Sequence, residues 1–183
     1  MEMKKNDNEV RLVNRVAESG LLTINLELYY PRFDFFVLDL KDYLFQGLIL
    51  KEKDFREAMK VFEWKDLDNR ILLITCSADA VIPLWAYMLV SSYAQPHAQD
   101  VFLGNQEAYL QMHYRRVIDE LPLADYRDQR VVIKGCSDKP VPAGAYAALT
   151  RHLRPVVQSL FFGEPCSTVP IYKRPKVTDT LNS

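Results

Sequence analysis

The chain has 183 residues, 49% of them hydrophobic, with 23 basic against 24 acidic side chains and a formal charge of −1. That is the size and composition of one soluble domain with ample core material, and the balanced charge leaves no electrostatic footprint for nucleic acid or an anionic membrane, so neither is an expected partner. The start, Met1-Glu-Met-Lys-Lys-Asn-Asp7, lacks the apolar stretch of a signal peptide, and the longest strongly apolar run, Val81 to Val90, contains a proline and is too short to span a bilayer; a cytoplasmic location is expected.

Residues 1–70 read as an N-terminal extension of a single domain covering 1–183. In this extension Leu22, Ile24, Leu26 and Leu28 alternate with polar residues, the period-two pattern of a half-buried strand, and Phe35 to Leu40 reads as a second strand. Lys51 to Trp64 fits a charged amphipathic helix with Phe55, Met59 and Phe62 on one side. The extension is expected to add strands to a sheet edge or to cover one face. Residues 1–10 and 174–183 are polar and are expected to be flexible.

From residue 71 the sequence repeats itself. Ile71-Leu-Leu-Ile-Thr-Cys76-Ser77 and Val131-Val-Ile-Lys-Gly-Cys136-Ser137 are short apolar runs that each end in Cys-Ser. After a one-residue gap both copies run Pro-x-x-Ala-Tyr (Pro83 to Tyr87, Pro142 to Tyr146), a second proline (Pro96, Pro155) and Gln-x-x-Phe-x-Gly ending at Gly104 and Gly163; seven of twenty-two aligned positions are identical at a constant offset of 59. Each copy reads as a buried strand, a Cys-Ser turn, a helix opened by proline and a second strand stopped by glycine. Asn105 to Glu120, between the copies, fits a helix capped by Asn105. The expected fold class is therefore α/β: a mostly parallel sheet with helices on its faces, built around two repeated βαβ units at 71–104 and 131–163.

Four peptides, 48–58, 76–89, 132–137 and 163–173, resemble an uncharacterised bacterial family, domain-of-unknown-function family 2480, over roughly residues 20 to 173. The resemblance brings no established activity. It implies an association with iron–sulfur cluster assembly, whose proteins become expected partners.

Candidate chemistry lies where the parallel strands end, the place where open α/β sheets bind ligands. Cys76 and Cys136 end the first strand of each copy and Cys166 follows Gly163, so all three thiols are expected on one sheet edge. If the two cysteine-bearing strands are neighbours, Cys76 and Cys136 face each other. Both also precede a helix N-terminus, which favours thiolate. Three thiolates suit iron, zinc or an iron–sulfur cluster, with a further ligand from Asp79, Asp138, Glu107 or Glu164. Against this stand three observations: no Cys-x-x-Cys occurs, the cysteine spacings match no metal motif, and free cysteine is a common buried filler. Two functions therefore compete: a thiolate site, or a non-catalytic interaction module with structural cysteines that docks through the extension or through Val169 to Lys173. An exposed sheet edge makes a homodimer an expected assembly.

Other motifs assign no reaction. The glycines at Gly104 and Gly163 build neither a dinucleotide fingerprint nor a P-loop, and no Gly-x-Ser-x-Gly elbow is present. His97, His113 and His152 form no His-x-x-x-His pair, and Trp64, Trp85, Tyr87 and Tyr146 read as core anchors.

Overall fold

The computed structural model describes residues 14–15, 20–135, 138–164 and 167–175. The fold is α/β as expected, but its parallel strands form two sheets, and the chain divides into two compact units, 31–113 and 1–30 with 114–183. The division falls within the helix that joins the two copies of the repeat.

In the unit spanning 31–113 the sheet order is β3 (Asp34–Asp39), β4 (Arg70–Thr75), β5 (Asp100–Leu103), all parallel. The central strand is apolar on both faces because both are covered: Ile71 to Ile74 are at most 2% exposed. Leu72 and Ile74 share one cluster with Phe55 and Met59 of α1 (Glu52–Val61) and with Ala86, Val90 and Ala94 of α2 (Leu84–Ala94). Ile71 and Leu73 pack on the other side with Tyr109 and Met112 of α3 (Gln106–Asp119). Trp64 closes the first cluster. Its Nε1–H donates to Met59 O at 2.8 Å, and its ring stacks on Tyr93 at 5.4 Å. The expected helix over Lys51 to Trp64 is thus found, shortened at its ends, and the Asn105 cap is found as well, its Oδ1 accepting the Ala108 N–H at 2.9 Å.

In the other unit the order is β1 (Asn14–Arg15), β2 (Leu21–Ile24), β6 (Arg130–Ile133), β7 (Ser159–Glu164), β8 (Ser167–Lys173). β2, β6 and β7 are parallel; β1 and β8 are antiparallel edges. Val131, Val132, Ile133 and Leu160 are buried, as are Ala145, Leu149 and Leu153 of α4 (Ala143–Leu153). The peptide Val169 to Lys173, a docking candidate by sequence, is paired with β7, and an irregularity between Leu160 and Phe161 accommodates it. Arg174 fastens its end, donating to the Asp128 carboxylate and to the carbonyls of Val156 (2.6 Å) and Val157 (2.9 Å).

The two βαβ copies agree in detail. Ahead of each first strand a 3-10 turn, Trp64–Leu67 or Leu123–Tyr126, leads to a residue with positive φ, Asn69 at 61° and Asp128 at 58°. Asn and Asp tolerate that conformation better than other side-chain-bearing residues. Pro83 and Pro142 precede α2 and α4 with φ −62° and −61°, and Gly104 and Gly163 close the copies at φ 142° and 123°. The repeat is also larger than 71–104 and 131–163. β3 pairs with β4, Phe35 opposite Ile71, as β2 pairs with β6, Leu21 opposite Arg130. The N-terminal residues therefore give one parallel strand to each sheet, and β1 as an antiparallel edge to the five-stranded one.

The period-two strand over Leu22 to Leu28 ends early, at Ile24. Asn25 Oδ1 accepts the Glu27 N–H at 3.0 Å and turns the chain into a 3-10 helix, Leu26–Tyr29, which buries Leu26 and leaves Leu28 59% exposed. Asp39 does the same for Leu40–Tyr43, accepting the Lys41 N–H at 3.0 Å.

Candidate functional site

Strand pairing corrects the alignment of the cysteines. Ile71 lies opposite Asp100 in one copy and Arg130 opposite Ser159 in the other, so the offset of 59 already holds within the strands and no gap separates them from the helices. In that register Gly135 takes the place of Cys76, and Cys136 takes the place of Ser77. The Phe162 ring crowds that position: a Cβ on Gly135 would lie 2.7 Å from Phe162 Cζ, so a side chain there requires the ring to move. The sheets correct a second expectation. β4 and β6, the strands leading to Cys76 and Cys136, belong to different sheets and are not neighbours, because each pairs in parallel with its own strand from the N-terminal residues, β3 or β2.

Cys76 follows β4 and is partly buried against the apolar cluster of its unit; its S–H donates to Ala78 O at 3.6 Å. Asp79, three residues on, is exposed, as is Glu107 in the first turn of α3. In the same unit Ser77 N–H donates to Asp39 Oδ1 at 3.0 Å. The Ser77 side chain, the Lys41 N–H and the Ser77 N–H together hold the Asp39 carboxyl below the usual carboxylate range.

Cys136 and Cys166 lie outside the described residues. β6 and β7 are adjacent and parallel, with Ile133 opposite Phe162. Cys136 comes three positions after Ile133 in the sequence, and Cys166 four after Phe162. Glu164, the last residue of β7, has a fully buried Oε1 that accepts no hydrogen bond among the described residues, and Lys134 Nζ stands 4.0 Å from it. Asp138 is exposed, and its backbone is held: Glu27 Oε1 accepts both the Asp138 N–H (3.0 Å) and the Lys139 N–H (3.1 Å). Among the described residues no group of three or more His, Cys, Asp and Glu is placed to hold a metal.

Tyr114 is completely buried, and burial, reinforced by Tyr146, Tyr30 and Glu27, pushes its phenol well above the ordinary value. Burial and Tyr126 do the same to Tyr29. The two acids that hold the segments after β4 and β6, Asp39 and Glu27, were not visible as site residues in the sequence. Their signal is the pair Asn25-Leu-Glu27 and Asp39-Leu-Lys41, two cap residues each followed by a buried leucine.

His97 Nδ1 pairs with Asp68 Oδ1 at 3.0 Å, His152 Nε2 lies 3.1 Å from Leu121 O, and the His113 ring stacks on Tyr109 at 6.0 Å. No helix among the described residues is long and apolar enough to cross a membrane.

No curated protein and no solved structure matches the chain. A family model does, and it covers both copies of the repeat together with the N-terminal strands that complete their sheets: the chain belongs to the family described as "Protein of unknown function (DUF2480)", matched over residues 10–174.

Proposed function

We propose that the chain is a thiolate metal-binding protein whose centre belongs to the unit formed by 1–30 and 114–183, with Cys136 and Cys166 as thiolate ligands and Glu164 and Asp138 as the oxygen ligands. The observation that carries this reading is Glu164 Oε1, a carboxylate oxygen withdrawn from water at the end of β7 that accepts no hydrogen bond among the described residues, with Lys134 Nζ 4.0 Å away. Burying a carboxylate oxygen without a hydrogen bond is costly, and a closely bound cation satisfies it better than an ammonium group 4.0 Å away. The neighbouring positions of β6 and β7 support the choice of thiols, since the two cysteines follow the carboxyl ends of adjacent parallel strands. Two thiolates with carboxylate oxygens suit a tetrahedral zinc or ferrous ion better than a cluster, which asks for more sulfur ligands. Where the ion is ferrous, its delivery to iron–sulfur assembly is the role we attach to the centre. Cys76 is left out of it, because its thiol is engaged in the apolar cluster of the other unit.

The test is metal analysis of protein purified without oxygen, followed by uptake of added zinc. About one bound equivalent of zinc or iron per chain is expected; no metal as purified and no uptake would overturn the reading.

A second reading, an interaction module without chemistry, is favoured by α2. Leu84 and Met88 on that helix are 77% and 72% exposed, whereas the matching positions of α4 are Ala143 and Ala147, so the fold itself does not require large apolar residues there.

A further inference from the structure

We infer that Glu27 is the positioning residue of the thiol centre: its carboxylate holds the segment that carries Cys136 in place. The inference rests on the thiolate reading for its purpose and on four observations for its geometry.

A single oxygen, Glu27 Oε1, accepts two successive backbone N–H groups, those of Asp138 and Lys139. These belong to the stretch between β6 and α4, two and three positions after Cys136. Glu27 itself is fixed, because its own N–H is bound by the Asn25 side chain within the 3-10 helix Leu26–Tyr29.

The other copy repeats the device with different residues. There Asp39, the cap of the matching 3-10 helix, accepts the Ser77 N–H, one position after Cys76. The acid and its target have shifted together. Asp39 corresponds to Asn25, two residues before Glu27, and Ser77 corresponds to position 136, two residues before Asp138. Two copies of one fold that keep an acid on the same segment, by different residues, indicate that holding this segment matters to each of them.

Charge-assisted hydrogen bonds from one carboxylate to two amides are strong and geometrically restrictive. Ligation from two strands demands a fixed backbone, and the bonds to Asp138 and Lys139 fix the backbone two and three positions after Cys136 in the sequence.

The test compares wild type, Glu27→Ala and Glu27→Gln in the full-length protein, first without metal. Cys136 alkylation by iodoacetamide is followed peptide by peptide in the mass spectrometer, with Cys76 as the internal control, and amide exchange is followed at Asp138 and Lys139. Glu27→Ala should change the Cys136 alkylation rate and speed the two amides by about tenfold or more, the scale of losing hydrogen bonds to a charged acceptor. Glu27→Gln, which keeps an acceptor oxygen, should recover most of the wild-type behaviour, and Cys76 should stay constant in all three proteins. Unchanged Cys136 alkylation and amide exchange in Glu27→Ala would overturn the inference.

Cobalt(II) titration then separates the two ideas. If wild type shows a sulfur-to-cobalt absorption band and Glu27→Ala binds about tenfold more weakly or worse, both stand. Equal binding by the two proteins overturns the positioning role alone. A wild type with no such band overturns the metal reading, while the alkylation and exchange results still decide whether Glu27 holds the segment.

Discussion

Glu27 Oε1 accepts the Asp138 N–H at 3.0 Å although the two residues are 111 positions apart in the chain. Between them lies the whole of the other compact unit, 31–113, so one copy of the repeat is inserted into the other and the outer copy is completed by residues from both sides of the insertion. This interaction ties the segment before the insertion to the segment after β6.

The two strand-closing glycines should be intolerant of a side chain. Gly163 has φ 123°, and a Cβ there would lie 2.5 Å from Ser167 O, a backbone atom that cannot swing aside. Gly163→Ala should lower stability by more than ~2 kcal/mol, the scale of backbone strain joined to a clash. Gly144 in α4 meets nothing within 4 Å, and Gly144→Ala should be neutral or raise stability by up to about 1 kcal/mol. Urea unfolding midpoints check both; equal destabilisation of the two variants would contradict the assignment.

The core of each copy should respond to truncation in the same way. Leu149 is fully buried on α4, and Leu149→Ala should cost about 2–5 kcal/mol, whereas Leu84→Ala at an exposed site of α2 should stay within about 0.5 kcal/mol. Thermal and urea unfolding of the two variants give the comparison, and a large loss at Leu84 would show that the exposed face is covered in solution.

Asp39 gives stability a dependence on acid. Its carboxyl is held below the ordinary range, first by the Ser77 side chain and then by the Lys41 and Ser77 N–H groups, so its folded value lies below its unfolded one. Its contribution is therefore present above about pH 4, the usual aspartate value, and is lost as pH falls through the folded value. Asp39→Asn should be less stable than wild type at neutral pH, and the difference should shrink as pH falls below about 4 and the depressed carboxylate takes up its proton. A constant difference across that range would contradict this account.

Tyr114 works in the opposite direction. Burial raises its phenol above the ordinary value, so the contribution is present below the unfolded value near pH 10 and is lost as pH rises through the folded one. Ultraviolet titration should show at least one tyrosine that ionises only together with unfolding. Full ionisation of every tyrosine in the folded protein near pH 10 would be the contrary result.

Much of this fold was legible in the chain. The runs Ile71 to Ile74 and Val131 to Ile133 are strands, Pro83 and Pro142 open helices and Gly104 and Gly163 end the copies, because each of these signals is local. What was not legible is pairing. The sequence at Leu22 and Phe35 says strand but does not say which partner each will choose, and only pairing shows that they complete two separate sheets. The shared Cys-Ser dipeptide also misled: it outweighed the register, in which strand pairing places Cys136 at the position of Ser77 and Gly135 at that of Cys76. Glu27 and Asp39 were missed because an acid that grips distant backbone amides carries no motif.

Cobalt(II) binding by Cys76→Ser, Cys136→Ser and Cys166→Ser, each in the full-length reduced protein, tests the central claim most directly. Cobalt reports thiolate ligation through a near-ultraviolet sulfur-to-metal band whose intensity scales with the number of sulfur ligands. The account predicts a two-thiolate band in wild type and in Cys76→Ser, and its loss in Cys136→Ser and in Cys166→Ser while thermal unfolding changes little. A wild type without the band, or a band that survives both of those substitutions, would contradict it.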